Sequence, residues 1–595
     1  MKQFLVTVAG VFVGLLLFVV GLPILLIVII SASAKPAPPP ARTVLVLDLR
    51  GGLSDQEART PFSALGGGGG LSVMGIEDTL RRAERDDRVK GLLVRLPEGG
   101  MAPAAADELR MAFQRFRARG KPILAHSQGL YPAGVVSSTY ELAAASGDIW
   151  MQPASSFQVT GVAAESLFFK RFFDRYGITA DYQQRYEYKN AVNPYLYSDY
   201  TPAHRESQLS WMGSVYQSAV ASAATDRAAQ TAPFKALIEA GPYSAEDARA
   251  KGLVDHIGQV KEAESAILAR AGGGAKLVEF GEYGVRARAA RVSRGIGGPV
   301  IAVISAEGPI VTGTSARSNP FTGRQTIYSD DVAKAFYNAI EDRDVKAIVF
   351  RVSSPGGSDT ASEQILAAVR AAKAAGKPVV VSMGTYGASG GYWIASQASE
   401  IVAQPTTLTG SIGVFGGKFA VGPALSRFGV DVRGIHVGGE YADAFGVEGP
   451  MTPAQRAAFG AWMDRIYDGF VARVAEGRKM PESRVREIAK GRVWTGVQAK
   501  ALGLVDQVGG FQQAVERAKA LSGIKGLARL KSFNTTASPF QALQRLFGAG
   551  SEATGTLAAA AYLAEDPRAQ ALVSELRDAR MREDGATVLA PTPWR

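Results

Sequence analysis

A long internal duplication constrains this chain more than any other feature of its sequence. The stretch Arg88–Arg95 (Arg-Val-Lys-Gly-Leu-Leu-Val-Arg) recurs 256 residues later as Asp344–Arg351 (Asp-Val-Lys-Ala-Ile-Val-Phe-Arg). The same spacing joins Lys121 to Lys377, each of which stands before a proline. Because the repeated unit is long and occurs twice, it predicts two similar domains rather than a solenoid of short repeats.

Short apolar stretches alternate with amphipathic ones in both copies. The first copy begins with the apolar run Thr43–Asp48, and the second with Pro299–Ile304. In the second copy we predict helix Asp331–Asp342, strand Ala347–Phe350, helix Ala361–Ala374, strand Pro378–Ser382 and a helix from Gly391. Strands that alternate with helices in this way indicate an α/β fold with mainly parallel sheets.

The composition of the segments outside the two copies completes the predicted organisation. The predicted parts are an N-terminal anchor (1–34), a proline-rich spacer (35–42), a first domain (43–295), a second domain (296–530) and a C-terminal tail (531–595). Within the tail, Pro539–Phe547 and Asp566–Arg580 have the pattern of amphipathic helices.

The N-terminal segment predicts a membrane anchor. Phe4–Ile30 carries no charge and exceeds the roughly 20 apolar residues that a membrane span needs. Ala32-Ser-Ala34 resembles a signal-peptidase site, but the apolar region of a cleavable signal is only about 7–15 residues long. We therefore expect an uncleaved transmembrane helix in contact with membrane lipid. Basic residues flank both of its ends, so charge does not predict its orientation.

Composition excludes several classes of function. The net charge of +11 is a mild excess over 595 residues, and no dense basic run is interleaved with aromatic residues, so nucleic-acid binding is not expected. The chain has no cysteine, which excludes disulfides and thiolate chemistry. No histidine or carboxylate cluster has the spacing of metal ligands, and we expect neither a metal nor another cofactor.

One copy contains a candidate nucleophile that the other lacks. Ser389 lies in Tyr-Gly-Ala-Ser-Gly-Gly between a predicted strand and a predicted helix, whereas the first copy has Ala133 at the matching place. The small neighbours of Ser389 leave room for a substrate and for a tight turn. The same pattern also suits a serine that merely caps a helix, so the spacing alone leaves both interpretations open.

A serine nucleophile needs a base, and a lysine is the better candidate. None of the four histidines stands in a setting that suggests a catalytic triad; they are His126, His204, His256 and His436. Lys189 lies in the aromatic stretch Arg-Tyr-Glu-Tyr-Lys-Asn, which can desolvate its ammonium and lower its pKa. Aligning Gly177 with Gly429 places Tyr441 opposite Lys189, so one copy has the serine and the other has the lysine.

Two glycine-rich turns of the second copy could complete an active site. Gly356 and Gly357 follow the strand that ends near Arg351, and amides of such a pair can bind an oxyanion. Ser411 lies in the small-residue turn Thr-Gly-Ser-Ile-Gly, where its hydroxyl could orient the lysine.

Taken together, four stretches resemble the signal peptide peptidase A (protease IV) family, peptidase family S49, in its long tandem-domain form. They are Ser354-Pro-Gly-Gly-Ser358, Gly387-Ala-Ser-Gly-Gly-Tyr392, Thr409-Gly-Ser-Ile-Gly413 and Tyr188-Lys-Asn-Ala191. The resemblance runs from the anchor to about residue 525 and implies two tandem domains of the Clp-protease/crotonase type.

The resemblance also implies functional roles. It makes Ser389 the nucleophile, Lys189 the general base and Ser411 the residue that orients the lysine, with amides around Gly356, Gly357 and Gly390 holding the oxyanion. It implies a membrane-anchored homotetramer in the bacterial inner membrane, with the catalytic part in the periplasm. The expected substrates are cleaved signal peptides and other apolar peptides.

Three questions stay open at this stage. The glycine turns also fit a crotonase-like acyl-CoA enzyme, although such enzymes are normally soluble and usually use carboxylates. A non-catalytic membrane scaffold built from decayed protease domains is a second alternative. The sequence also leaves open whether Lys189 reaches Ser389 of its own chain or of a neighbouring one.

Overall fold

The computed structural model describes residues 40–57, 71–292, 298–315 and 325–533, together with Gly10, Gly14 and the strand Val588–Leu589. Apart from Gly10 and Gly14, the predicted anchor lies outside the described residues, and so do both predicted tail helices. Within the described part of the chain, no helix is long and apolar enough to cross a membrane.

The first copy of the repeat forms a sheet with helices packed against it. Its strands are β1 (Thr43–Asp48), β2 (Val89–Arg95), β3 (Ile123–Ser127), β4 (Ile149–Met151), β5 (Ser156–Phe157), β6 (Thr179–Arg185), β7 (Tyr243–Ser244), β8 (His256–Ile257) and β9 (Lys276–Glu279). Its helices are α1 (Val73–Ala83), α2 (Pro103–Ala118), α3 (Val136–Ser146), α4 (Lys170–Tyr176), α5 (Asn193–Leu196), α6 (Pro202–Asp226), α7 (Thr231–Glu239), α8 (Ala245–Ala250), α9 (Val260–Ala271) and α10 (Phe280–Val292).

The second copy repeats this plan. Its strands are β10 (Val300–Glu307), β11 (Ile310–Val311), β12 (Ile327–Tyr328), β13 (Val345–Ser354), β14 (Gly356–Gly357), β15 (Val379–Ala388), β16 (Glu400–Ala403), β17 (Leu408–Gly410), β18 (Val414–Ala420), β19 (Val493–Thr495), β20 (Gln507–Val508) and β21 (Arg529–Ser532). Its helices are α11 (Ser329–Glu341), α12 (Asp359–Ala374), α13 (Gly390–Ala395), α14 (Gly422–Ser426), α15 (Pro453–Arg478), α16 (Glu482–Ile488), α17 (Gly496–Ala501) and α18 (Phe511–Leu521). The strand Val588–Leu589 is β22.

The two main sheets have the same strand order. The first runs β9-β1-β2-β3-β4-β8, and the second contains the corresponding path β21-β10-β13-β15-β16-β20. All neighbours along both paths are parallel. Apolar residues are buried on both faces of each sheet, as helix-covered parallel sheets require. The predicted α/β fold with mainly parallel sheets is confirmed.

Strand β15 is longer than predicted, and its extra length carries the candidate nucleophile. The sequence predicts its end near Ser382, but the strand continues to Ala388. It pairs first with β16, at Val380–Met383, and then with β17, at Tyr386–Ala388. The second neighbour supplies hydrogen-bond partners for the extension, so Ser389 follows the strand directly.

A buried ion cluster joins the two copies. Arg351, on β13, is 1% exposed and donates hydrogen bonds to Asp55, which follows β1, and to Glu108, on α2. Glu108 also accepts a hydrogen bond of 2.6 Å from the amide of Phe511, at the start of α18. The carboxylate of Glu307, on β10, accepts the amides of Asp55 and Gln56. This cluster fixes the first copy against the strands that lead to the candidate site.

Candidate active site

An antiparallel ribbon made by both copies brings the candidate lysine to the candidate serine. Strand β6 of the first copy pairs with β18 of the second, from Thr179 opposite Ala420 to Arg185 opposite Val414. Lys189 follows β6 closely, and Ser411 closely precedes β18. Since the strands are antiparallel, both residues emerge at the same end of the ribbon.

Lys189 is fully buried there and contacts the candidate serine of its own chain. Its Nζ lies 2.8 Å from Ser389 Oγ, 3.0 Å from Ser411 Oγ and 2.9 Å from the Ser411 carbonyl oxygen. Among the described residues, these hydrogen-bond partners are all uncharged oxygens. Burial alone therefore lowers the pKa of the Lys189 ammonium well below its usual range.

Ser389 occupies a strained turn between β15 and α13. Its backbone angles are φ 56° and ψ −119°, a conformation that residues with a Cβ rarely adopt. The amide of Ser389 donates to the Gly410 carbonyl at 2.8 Å, and its carbonyl accepts the amides of Tyr392 and Trp393. These bonds hold the hydroxyl at the end of the strand, as in the sharp strand-to-helix turns that present nucleophiles elsewhere.

The predicted oxyanion glycines lie against this turn. A Cβ added to Gly390 would stand only 3.0 Å from the amide nitrogen of Gly357 and 3.1 Å from Gly356 Cα. A side chain at position 390 would thus push the loop away, which explains the need for glycine there. The structure brings together all six residues predicted for the site: Lys189, Gly356, Gly357, Ser389, Gly390 and Ser411.

Sequence reasoning missed the residues that hold Lys189 in place. Gly491 has φ 82°, and a Cβ on it would lie 2.5 Å from the backbone nitrogen of Lys189. The Arg492 guanidinium stacks on Tyr188 and donates two hydrogen bonds, of 2.6 and 2.7 Å, to Glu206. Lys490-Gly491-Arg492 has the composition of an ordinary surface turn, so no local sequence signal marked Gly491 or Arg492.

The first copy has no serine at the position that corresponds to Ser389. Ala133 stands where the second copy has Ser389, and its carbonyl oxygen accepts the amide of Gly100 at 2.5 Å. Gly100 lies 256 residues before Gly356. In the second copy, the amide of Gly356 donates instead to Ser354 Oγ, at 3.1 Å. The first copy contributes its lysine to the second site instead of forming one of its own.

The histidines lie elsewhere, as the sequence suggested. Nε2 of buried His126 lies 3.2 Å from the Gly258 carbonyl oxygen. His256 faces Asp148, and His436 faces Asp443. His204 is packed near Phe168 and Tyr200. In the described residues, Lys189 is the only basic side chain hydrogen-bonded to Ser389.

Comparison with known proteins adds independent support. The family model described as peptidase family S49 matches residues 115–272 and 371–525, one match in each copy. Protease 4 of Salmonella typhi is 33% identical over 76% of this chain and 72% of its own length. Protease 4 of Haemophilus influenzae is 31% identical over 84% of this chain and 83% of its own length.

A plant relative shows the same breadth of similarity. The chloroplastic serine protease SPPA of Arabidopsis thaliana is 28% identical over 81% of this chain and 69% of its own length. The matches span both copies of the repeat, so they concern the tandem architecture and not one domain alone. The family predicted from the four sequence stretches is confirmed: this chain belongs to peptidase family S49 and is a serine peptidase.

Proposed function

We propose that this chain is a membrane-anchored endopeptidase that cleaves apolar peptides, including released signal peptides, with a Ser389/Lys189 dyad. One observation carries the proposal: a fully buried lysine amine stands 2.8 Å from a serine hydroxyl held in a strained turn. A lysine in a site without a carboxylate partner is deprotonated more readily, and its neutral amine can act as a base.

The hydrogen-bond geometry suits a neutral amine in the resting enzyme. Such an amine can donate two N–H bonds to the carbonyl and hydroxyl oxygens of Ser411, which orients it. Its lone pair then faces the hydroxyl of Ser389 and can accept that proton as Oγ attacks the scissile carbonyl. Ser411 thus acts as a positioning residue.

The remaining steps follow the usual course of acyl transfer. The attack produces a tetrahedral oxyanion, which the amides of Gly357 and Gly390 are placed to stabilise. The Lys189 ammonium returns its proton to the leaving amine, and an acyl-enzyme remains on Ser389. Water, deprotonated by the same lysine, then hydrolyses the ester.

The pH dependence of the reaction tests the dyad. Only neutral Lys189 can accept a proton, so kcat/KM, which reports the free enzyme, is expected to rise with pH through the lowered pKa and to be lost as pH falls below it. The plateau should be reached well below the ordinary lysine pKa of about 10.4. Both kcat/KM for a soluble apolar peptide and the rate at which a phosphonylating probe labels Ser389 should show this pH dependence. Activity that rises only near the ordinary lysine pKa would contradict the role of Lys189 as the general base.

We also propose that the protein is held in the bacterial inner membrane by Phe4–Ile30, with its catalytic part in the periplasm, as a homotetramer. The length and lack of charge of that segment support the anchor. Apolar side chains that the isolated chain leaves in water support self-association, since Phe428, Ile435 and Val437 are 79%, 99% and 98% exposed.

Deletion of residues 1–34 tests both parts of this proposal. The shortened protein is expected to leave the membrane fraction, to hydrolyse a soluble peptide at the rate of the full chain and to have the mass of four chains by light scattering. Retention in the membrane fraction would contradict the anchor, and the mass of a single chain would contradict the tetramer.

A further inference from the structure

Arg492 connects the second copy to the lysine loop, Tyr186–Asn190, and to a helix of the first copy. Its guanidinium lies against two aromatic rings, 4.9 Å from the ring centre of Tyr188 and 4.4 Å from that of Trp494. The same group donates hydrogen bonds of 2.6 and 2.7 Å to the two carboxylate oxygens of Glu206, on α6. A planar guanidinium can stack on a ring and bind a carboxylate through two N–H groups at once, so its position is fixed by both copies.

The backbone around Arg492 also contacts the two segments that hold the reactive amine. The carbonyl oxygen of Arg492 accepts the amide of Ser411 at 2.7 Å, and the carbonyl oxygen of Lys490 accepts the amide of Tyr188 at 3.2 Å. Ser411 in turn accepts hydrogen bonds from Lys189 Nζ. The position of Arg492 therefore affects both the lysine loop and the turn that orients its amine.

The duplication shows that this ion pair occurs only beside the lysine. The first residues of α6 and α15 are 251 residues apart, and so are the last residues of β7 and β19. At that spacing Ala457 corresponds to Glu206, and Gly241 corresponds to Arg492. Alanine and glycine have no charged group, so the equivalent place, which lacks the lysine, lacks the ion pair as well.

Charged groups surround the lysine loop, but in the described part of the chain none of them bonds its amine, whose partners are the oxygens of Ser389 and Ser411. Burial, and not a neighbouring cation, therefore lowers the pKa of the Lys189 ammonium. The groups that face the loop are the ion pairs Arg492–Glu206, Lys490–Glu187 and Arg185–Asp464 and the rings of Tyr186, Tyr188 and Tyr467, with Arg486 over the last ring.

The Arg492–Glu206 pair lies between solvent and the buried amine. The side chain of Glu206 is 51% exposed and that of Arg492 is 16% exposed, whereas Lys189 is completely buried. An ion pair this close to the surface adds little to the stability of a fold. Its two parallel hydrogen bonds do fix the orientation of the guanidinium, and with it the ring of Tyr188, next to the lysine.

We propose that the Arg492–Glu206 pair positions Lys189 and keeps water away from its amine. The inference rests on the proposed function, because it takes Lys189 as the general base. When the pair is broken, the lysine loop can open to solvent, and the ammonium regains part of the hydration that burial removes. Arg492 and Glu206 are thus positioning residues that act through the lysine.

The pH dependence of variants of both partners tests this role. Arg492→Lys keeps the charge but loses the planar fork, and Glu206→Gln keeps the shape but loses the carboxylate. We expect both to move the acid-side midpoint of kcat/KM upward by about one pH unit, which is a roughly tenfold loss of kcat/KM below the midpoint. A merely structural role would lower kcat/KM equally at every pH. A midpoint that stays or falls in either variant would overturn the proposal.

The direction of the shift separates positioning from simple electrostatics. Loss of a carboxylate near an ammonium lowers the pKa of that ammonium, so through charge alone Glu206→Gln would move the midpoint down. Lys490→Gln is the matched control, because it breaks the neighbouring pair with Glu187 and removes one positive charge beside the same loop. It should leave the midpoint unchanged, and a shift as large as that of Arg492→Lys would overturn the proposal.

Amide hydrogen exchange separates this inference from the proposed function. In the Ser389→Ala background no acyl-enzyme can form, so exchange reports the opening of the lysine loop alone. The amides of Tyr188 and Lys189 should exchange at least about tenfold faster when Arg492→Lys or Glu206→Gln is added. Unchanged exchange would overturn the proposal, whereas peptide hydrolysis by a Lys189→Met variant would refute the dyad and leave this result intact.

Discussion

Lys189→Met is expected to lower kcat for peptide hydrolysis by at least about 10³-fold. Methionine fills the space of the lysine stem but has no basic nitrogen, so nothing at the position 2.8 Å from Ser389 Oγ can accept its proton. The fold should survive, because the neutral amine is replaced by an apolar chain in a fully buried position. Steady-state kinetics and circular dichroism together check the result.

The controls for Lys189→Met separate the dyad from general effects of lost charge. Lys346→Met removes an exposed lysine of the second copy and should leave kcat unchanged. Ser389→Ala should be as inactive as Lys189→Met, and the double variant should be no worse than either single one. Residues that act as one unit show this lack of additivity. Losses that multiply in the double variant would mean that the two residues act separately.

The pairing of Lys189 with Ser389, 2.8 Å apart in the structure, was predictable from sequence because the duplication provides an internal comparison. Serine and lysine each stand alone in one copy, and that reciprocal pattern gives information that neither local motif carries. The strand–helix alternation was also readable, since buried parallel strands are continuous apolar runs. The C-terminal end of β15 could not be predicted from the sequence. The strand is extended by pairing with β17, which becomes its neighbour only in the folded sheet.

Long-range packing explains why the other contacts around the site could not be predicted from the sequence. Gly491 and Arg492 hold the lysine loop from about 300 residues away in sequence, and nothing in their local pattern predicts that contact. The partners of Arg351 are equally distant, with Asp55 and Glu108 both in the other copy. One signal was available: a charged residue at the end of an apolar strand in each copy, Arg95 and Arg351, marks a position that needs a partner.

Arg351→Met is expected to destabilise the protein by about 3–5 kcal/mol. The guanidinium is 1% exposed and is hydrogen-bonded to Asp55 (2.9 Å from Nε) and to Glu108 (2.7 Å). Its removal leaves two buried carboxylates without a counterion, and the desolvation of each is then uncompensated. Urea unfolding followed by tryptophan fluorescence measures the shift in midpoint.

The duplication supplies a matched control for this variant. Arg95 occupies the same place in β2 that Arg351 occupies in β13, but it is only partly buried and bonds Gln128 at 3.2 Å. Arg95→Met should therefore change stability by less than about 1 kcal/mol. Equal effects of the two substitutions would mean that the loss of stability comes from removing the packed arginine stem and not from disrupting the ion cluster. A large effect of Arg351→Met alone would mean that the ion cluster stabilises the packing of the first copy, which carries Lys189, against the second copy, which carries Ser389.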